Sequence, residues 1–355
     1  MALLTIPNVK ISGLAAVVPE DSISNFDYDF ISIKERDAII SSTGIKNKRI
    51  FKKGTCTSDV GIWISEKLID ALSWEKKDIE LMIFISQTRD YILPNTACII
   101  QNKLGLSKTC MAFDIPLGCS GYTYGLSVAA SILSNGCLKK ALLIVGDVSA
   151  SELSHKDKTT YMLFGDAVTV TALEFTEDTN EVMHYNLQTD GSGYEAIIIP
   201  DGGLRNPFNK DSLELKEYKD KICRNNTQVF LDGMKVFEFS IREVAKNITQ
   251  LLKFIDKNIF DFDYYIFHQA NLLMNETIRK QLKLSKEVVP YSLEKYGNTS
   301  CGSIPLTLVS ELNNQLNYED KHYVFSGFGV GLSWASAVIN LNKIICPPVF
   351  EYKTS

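Results

Sequence analysis

The stretch DIPLGCSGYTYGLSVAASIL runs from Asp114 to Leu133. Its first residues read as the end of a strand that stops at Pro116. Two glycines then bracket Cys119 and Ser120, and a helical pattern of apolar residues follows. A side chain at the start of a helix lies in the positive end of the helix dipole, beside backbone N–H groups that lack an intrahelical partner. That setting favours a cysteine thiolate, the nucleophilic form.

Outward from this point the chain alternates strands and helices. LMIFISQT (Leu81 to Thr88), ALLIVGDV (Ala141 to Val148) and AVTVTALE (Ala167 to Glu174) are rich in β-branched residues. DVGIWISEKLIDAL and TACIIQNKLG carry apolar residues at helical spacing. After the polar stretch Thr176 to Tyr194 the rhythm resumes. VFEFSIREVAKNITQLLKFI (Val236 to Ile255) predicts a long amphipathic helix, YYIFH (Tyr264 to His268) a short strand and NLLMNETIRKQLKL another helix; HYVFSGFG and LSWASAVINL close as strands. Alternation of this kind implies a mostly parallel α/β sheet. Both halves end in a glycine turn and a strand, at Phe164-Gly165-Asp166-Ala167 and Phe328-Gly329-Val330-Gly331, which suggests a duplication. The polar stretch places a boundary between residues 1–178 and 179–355. GYEAIIIPDGGLRNP reads as a surface excursion.

Composition narrows the function classes. The chain has 355 residues, 45% of them hydrophobic, enough for a large core or a doubled fold. Its net charge of -5 argues against nucleic-acid binding. No apolar run is long enough for a membrane span. The opening MALLTIPNVKISGLAAVVPE lacks the charged lead of a secretion signal, so a cytoplasmic location is expected. The 8 cysteines form no CxxC pair, which predicts neither a metal site nor a disulfide framework, and most read as small buried hydrophobes.

Two further stretches carry chemistry. FHQANLLMNETI places His268 and Asn271 at a strand-to-helix junction, and GNTSCGSIPLTL places Asn298 in a glycine turn before an apolar helix. A single histidine or asparagine in such a place is usually structural. Together, an imidazole and an amide can stabilise a thioester carbonyl as it becomes an oxyanion, so Cys119, His268 and Asn298 make a coherent set for acyl transfer. Gly118 and Gly121 are expected to let an acyl group approach the backbone closely. The Cys119 N–H is expected to face the oxyanion.

GCSGYTYGLSVA, HQANLLM, YGNTSCGSIP and FGVGLSWASA, in this order, resemble the β-ketoacyl-acyl-carrier-protein synthase III family of the thiolase superfamily, and TGIKNKRI from Thr43 is similar to its N-terminal motif. The resemblance implies a thiolase-like fold, two pseudo-symmetric halves in five α-β-α-β-α layers, with the active site between them. It implies that Cys119 carries the acyl group, and that His268 and Asn298 hold the extender's thioester carbonyl during decarboxylation. The backbone N–H groups of Cys119 and Val330 would form the oxyanion hole. Leu93, Lys158, Gly233, Phe237 and Asn271 would be substrate-binding positions. An acyl carrier protein, an acyl thioester and a second copy of the chain are the implied partners; no cofactor or metal is implied.

The departures concern recognition. Where priming members of the family clamp coenzyme A with Trp and Arg, this chain has Ala38 and Ser42, and a third clamp position, usually Arg, is Lys158. A carrier-docking Arg is replaced by Leu273, with Arg279, Lys280 and Lys283 nearby as substitute charge. Leu93 stands where a phenylalanine often caps the acyl pocket. A specialised condensing enzyme is therefore expected. Other readings compete with it; a non-catalytic scaffold is disfavoured because both Cys119 and His268 are kept. A serine hydrolase at Ser120 fails because Gly118-Cys119-Ser120-Gly121-Tyr122 is not GxSxG. GFGVGLS lacks nucleotide-binding GxGxxG spacing. Acyl transfer to oxygen or nitrogen, and non-decarboxylating condensation with Asp90 as base, both stay within the fold.

Overall fold

Leu81–Ile85 is buried along its whole length and Lys140–Asp147 beyond its first residue, as apolar runs must be in a sheet covered on both faces. The computed structural model describes residues 2–149 and 152–353. Two large sheets organise them. The six-stranded sheet runs, in spatial order, Phe350–Tyr352, Val9–Pro19, Ala167–Phe175, Lys140–Asp147, Leu81–Ile85 and Met111–Ile115. The five-stranded sheet runs Ala2–Pro7, Val182–Thr189, Ser333–Asn342, Asp320–Gly329 and Tyr264–Phe267.

Both sheets are mixed: three of the five neighbouring pairs in the six-stranded sheet are parallel, but only one of the four in the five-stranded sheet. Lys140–Asp147 is parallel to Leu81–Ile85 but antiparallel to Ala167–Phe175, which is antiparallel in turn to Val9–Pro19. The second sheet repeats the pattern: Asp320–Gly329 is parallel to Tyr264–Phe267, antiparallel to Ser333–Asn342, and that strand is antiparallel to Val182–Thr189. The two halves thus share one pairing scheme. Each sheet also takes an edge strand from the far end of the chain. Ala2–Pro7 joins the five-stranded sheet and Phe350–Tyr352 the six-stranded one.

The five layers follow from the helices. Gly121–Leu133 and Ser303–Tyr318 pack between the sheets, where a helix must be apolar nearly all round; Leu126, Ala130, Leu306 and Leu308 share one core with strands of both sheets. Thr57–Leu72 and Thr96–Leu104 cover the outer face of the first sheet. Gly233–Phe254 and Leu272–Gln281 cover that of the second. Gly233–Phe254 buries Val236, Phe239, Val244, Ile248 and Leu251, a helical stripe. Its first turn is capped by the Asp232 carboxylate, which accepts the Lys235 N–H at 3.1 Å.

Two stretches differ from their sequence reading. The polar segment from Thr176 to Tyr194 contains the strand Val182–Thr189, central enough to have a partner on each side. Within the supposed surface excursion, Leu204 is exposed, but Ala196 is buried and Ile197, Ile198 and Ile199 form a cavity wall. Only three of the cysteines, Cys119, Cys301 and Cys346, are buried; Cys98 and Cys137 are exposed. A thiol on an amphipathic surface helix or a tight turn has no core to enter. No helix of the described residues is long and apolar enough to cross a membrane.

Candidate active site

Cys119 lies just before the helix Gly121–Leu133, with Ser120 at the N-cap, and is 8% exposed. Two backbone N–H groups, its own and that of Val330, reach its sulfur and favour the thiolate. Burial is the stronger influence and pushes the thiol up to about 11, with the Asp147 carboxyl adding to the rise. The resting cysteine is therefore a thiol, not the thiolate its place at a helix start suggested. The two N–H groups are available for an oxyanion instead.

The glycines around it serve close packing of the protein on itself. A Cβ on Gly118 would fall 2.7 Å from Val330 Cγ1, and one on Gly121 would fall 2.8 Å from Ile85 Cγ2. The expectation that these two glycines make room for an acyl group is not met. Gly329 has φ +153°, and a Cβ there would lie 2.7 Å from the Cys119 sulfur. The space beside the sulfur is kept by that residue.

His268 directly follows the strand Tyr264–Phe267 and is 1% exposed. Burial lowers its pKa to about 3, against a hydrogen bond to the Ser300 backbone that raises it, so the ring is neutral. Nδ1 lies 2.7 Å from Ser303 Oγ, and the ring stands edge-on to Phe328 with centroids 5.6 Å apart. Asn298 is 4% exposed and is fixed on both sides. Its Oδ1 accepts the Ser300 N–H at 3.0 Å, while its backbone bridges to Phe164 across the glycine turn. A neutral imidazole and an amide here offer hydrogen bonds without a full positive charge.

Two cavities meet at Cys119. The smaller, about 60 Å³, is bordered by Cys119, His268, Asn298, Asn271 and Gly233. The larger, about 230 Å³, extends past Val330 between Phe164 and the Ile197–Ile199 segment. Asn271 also caps the helix Leu272–Gln281, its side chain accepting the Met274 N–H at 2.8 Å. Phe237, one turn along the helix from Gly233, packs against the outer core and borders neither cavity. Leu93 is 79% exposed, next to exposed Tyr91 and Ile92, and borders neither cavity. Lys158 is ion-paired with Glu35.

Arg279 is not a free surface charge: it is buried, bound through two nitrogens to the Glu276 carboxylate and through a third to the Leu284 carbonyl. Asp90 accepts a hydrogen bond from Ser58 Oγ at 2.7 Å and lines neither cavity. Ser120 Oγ is 2.6 Å from Ser333 Oγ and has no histidine partner among the described residues. Sequence reading passed over Ser303 and Glu152; nothing in GSIP or SELS marks a hydroxyl under an imidazole or a carboxyl in a cavity. Among the described residues no group of three His, Cys, Asp or Glu side chains is placed to hold a metal ion.

The paired sheets and the Cys119–His268–Asn298 cluster at their junction define a condensing enzyme of the thiolase-like, acyltransferase class. The description 3-oxoacyl-[acyl-carrier-protein] synthase III matches residues 113–191, and its C-terminal counterpart residues 254–341. The chain is 32% identical over 329 residues to the β-ketoacyl-[acyl-carrier-protein] synthase III of Clostridioides difficile, covering 93% of this chain and 97% of the relative. The enzyme of the same description from Caldanaerobacter subterraneus is 31% identical over 333 residues, covering 94% and 98%. A crystal structure of a 3-oxoacyl-(acyl-carrier protein) synthase from Burkholderia xenovorans superposes with a TM-score of 0.92 at 32% identity, covering 99% of both chains. The chain belongs to the 3-oxoacyl-[acyl-carrier-protein] synthase III family.

Proposed function

We propose that the enzyme loads an acyl group from a thioester onto Cys119 and joins it to a malonyl unit on an acyl carrier protein, giving a β-ketoacyl thioester. The observation that carries this reading is the meeting of two cavities at one buried sulfur, with His268 and Asn298 bordering only the smaller. Loading exchanges one thiol for another: the Cys119 proton leaves with the departing carrier or coenzyme A thiol, so the resting enzyme needs no preformed thiolate. In the second half-reaction the malonyl thioester loses carbon dioxide. His268 and Asn298 hydrogen-bond its carbonyl oxygen as negative charge gathers there. The carbanion attacks the Cys119 thioester, the new oxyanion sits between the N–H groups of Cys119 and Val330, and as it collapses the cysteine sulfur leaves as thiolate and takes up a proton from water to regenerate the thiol.

The substrate-recognition side has changed. Lys158 is engaged with Glu35 and neither Ala38 nor Ser42 can stack on adenine, which supports a primer delivered by carrier protein rather than coenzyme A. Gly233 and Asn271 line the smaller cavity at Cys119, which supports their part in substrate binding; Phe237 follows one turn along the Gly233 helix. The exposed Tyr91, Ile92 and Leu93 support a homodimer in which a second copy covers this loop. The reading needs no cofactor or metal and suits a cytoplasmic enzyme of fatty-acid or specialised lipid or polyketide-type biosynthesis.

The test is intact-protein mass after exposure to acyl-carrier and acyl-CoA thioesters, followed by malonyl-carrier protein. An adduct on Cys119 that discharges as a β-keto product is expected, and Cys119→Ala should form none. His268→Ala and Asn298→Ala should still be acylated, with discharge slowed about 10²–10³-fold. An adduct that ignores the malonyl donor and transfers to an alcohol or amine would replace this reading with simple acyl transfer.

A further inference from the structure

The larger cavity is lined unevenly. Ile197, Ile198, Ile199 and Val229 contribute apolar lining, while Gln87, Asp147, Ser149, Glu152 and Ser300 contribute polar lining. Glu152 is held there by its backbone: its N–H donates to the Ser149 carbonyl at 2.9 Å, and its own carbonyl accepts the Val229 N–H at 2.9 Å. Its two anchors line the same cavity. The next residue is tied to the same loop, since Gln228 Nε2 donates to the Leu153 carbonyl at 3.2 Å.

Among the described residues nothing hydrogen-bonds the Glu152 carboxyl, and no Lys, Arg or His lines the cavity. The charged groups it feels are Asp147 and Asp166, both acidic. Each already has donors. Asp147 accepts the Gln87 N–H at 2.7 Å and Ser86 Oγ at 2.9 Å; Asp166 accepts the Phe51 N–H at 2.9 Å and Ser149 Oγ at 3.1 Å. Glu152 alone of the three faces the cavity unsatisfied. Burial and these two neighbours push it up to about 7. A half-buried carboxyl without a partner costs stability in the resting fold, and a ligand that donates to it recovers that cost.

Resting on the reading of Cys119 as the acyl carrier, we infer that Glu152 is a specificity-determining residue that receives a hydrogen-bond-donating substituent, a hydroxyl or an amine, on the acyl chain. A site built to bind a polar group rejects an analogue lacking it far more strongly than an apolar pocket rejects an added hydroxyl. The uneven lining matches such a chain: carbon skeleton against the isoleucines, substituent toward Glu152.

The experiment uses acyl-carrier thioesters of equal chain length, either plain, hydroxylated at successive carbons, or aminated at the same carbons. The rate of adduct formation on Cys119 is read by intact mass. One substituted chain should load at least about tenfold faster than the plain chain. Glu152→Leu should reverse that order, and Glu152→Gln should keep a hydroxyl preference but lose an amine preference. Circular dichroism checks that the variants fold, and the wild-type comparison stands without them. If the plain chain loads as fast as every substituted one, or if folded Glu152→Leu keeps the wild-type preference, the assignment is wrong. Malonyl-carrier protein is added as a separate step. Failure of a preferred adduct to discharge would overturn the condensation reading and leave Glu152 assigned; absence of any adduct would overturn both.

Discussion

Ser303 Oγ lies 2.7 Å from Nδ1 of His268, and the same oxygen accepts the Gln269 N–H at 3.3 Å. The serine opens the helix Ser303–Tyr318, which runs between the two sheets, so the imidazole is aimed by the core and not by its own loop. If His268 acts as proposed, Ser303 is its positioning residue. Ser303→Ala should leave loading of Cys119 unchanged and slow discharge by malonyl-carrier protein by up to about 10²-fold, the cost of a misplaced catalytic group. Ser303→Thr, which keeps the hydroxyl, should recover part of the loss. Equal damage to both half-reactions would make Ser303 a packing residue only.

Gly329→Ala tests the space beside the sulfur. The new methyl would sit 2.7 Å from Cys119 Sγ on a backbone at φ +153°, a conformation that strains any L side chain. Loading should fall at least about 10²-fold while the overall fold survives. Normal loading by this variant would mean that the turn relaxes and that its geometry is not needed.

The protonation state of Cys119 has a direct reading. Burial holds the thiol up to about 11, so its alkylation by iodoacetamide should keep accelerating as pH rises past 9 toward that value. Peptide mass spectrometry separates this site from the exposed Cys98 and Cys137. A plateau near neutral pH would restore the thiolate suggested by the helix start.

His268 links stability to acid. Its folded pKa is depressed from 6.5 to about 3, so the unfolded chain binds the proton first as pH falls. The contribution is therefore fully present above pH 6.5 and is lost progressively as pH drops toward 3. At full effect the slope is about 1.4 kcal/mol per pH unit. Urea unfolding at pH 7 and pH 4.5 should show a smaller acid loss in His268→Asn than in wild type. Parallel losses would show that the ring is protonated in the folded protein.

Much of the site was legible because acyl transfer needs a few residues in tight local settings. Cys119 stood between glycines before a helix, His268 at a strand end, and Asn298 in a glycine turn; each is where local pattern placed it. What escaped depends on distant partners. The strand Val182–Thr189 looked like a polar linker because Asn186 and Gln188 are polar, yet Asn186 donates to the Asn247 carbonyl at 3.0 Å and Gln188 to Gln250 at 3.0 Å. A helix more than sixty residues later satisfies them. The thiol form of Cys119 arises the same way, from burial by segments far along the chain. Arg279 is a different case: its partners, Glu276 and the Leu284 carbonyl, lie three and five residues away, and the i,i+3 spacing to Glu276 is a local signal of the pair.

The crossing of the chain's two ends sets how such a molecule can be taken apart. A cut at residue 178 would give two fragments, each keeping an edge strand that completes the other's sheet: Ala2–Pro7 in one, Phe350–Tyr352 in the other. Neither fragment would hold a complete sheet: the first would leave an edge of Val9–Pro19 bare and the second an edge of Val182–Thr189. Such bare edges are templates for pairing with any other strand, so the separated pieces should either find each other or aggregate.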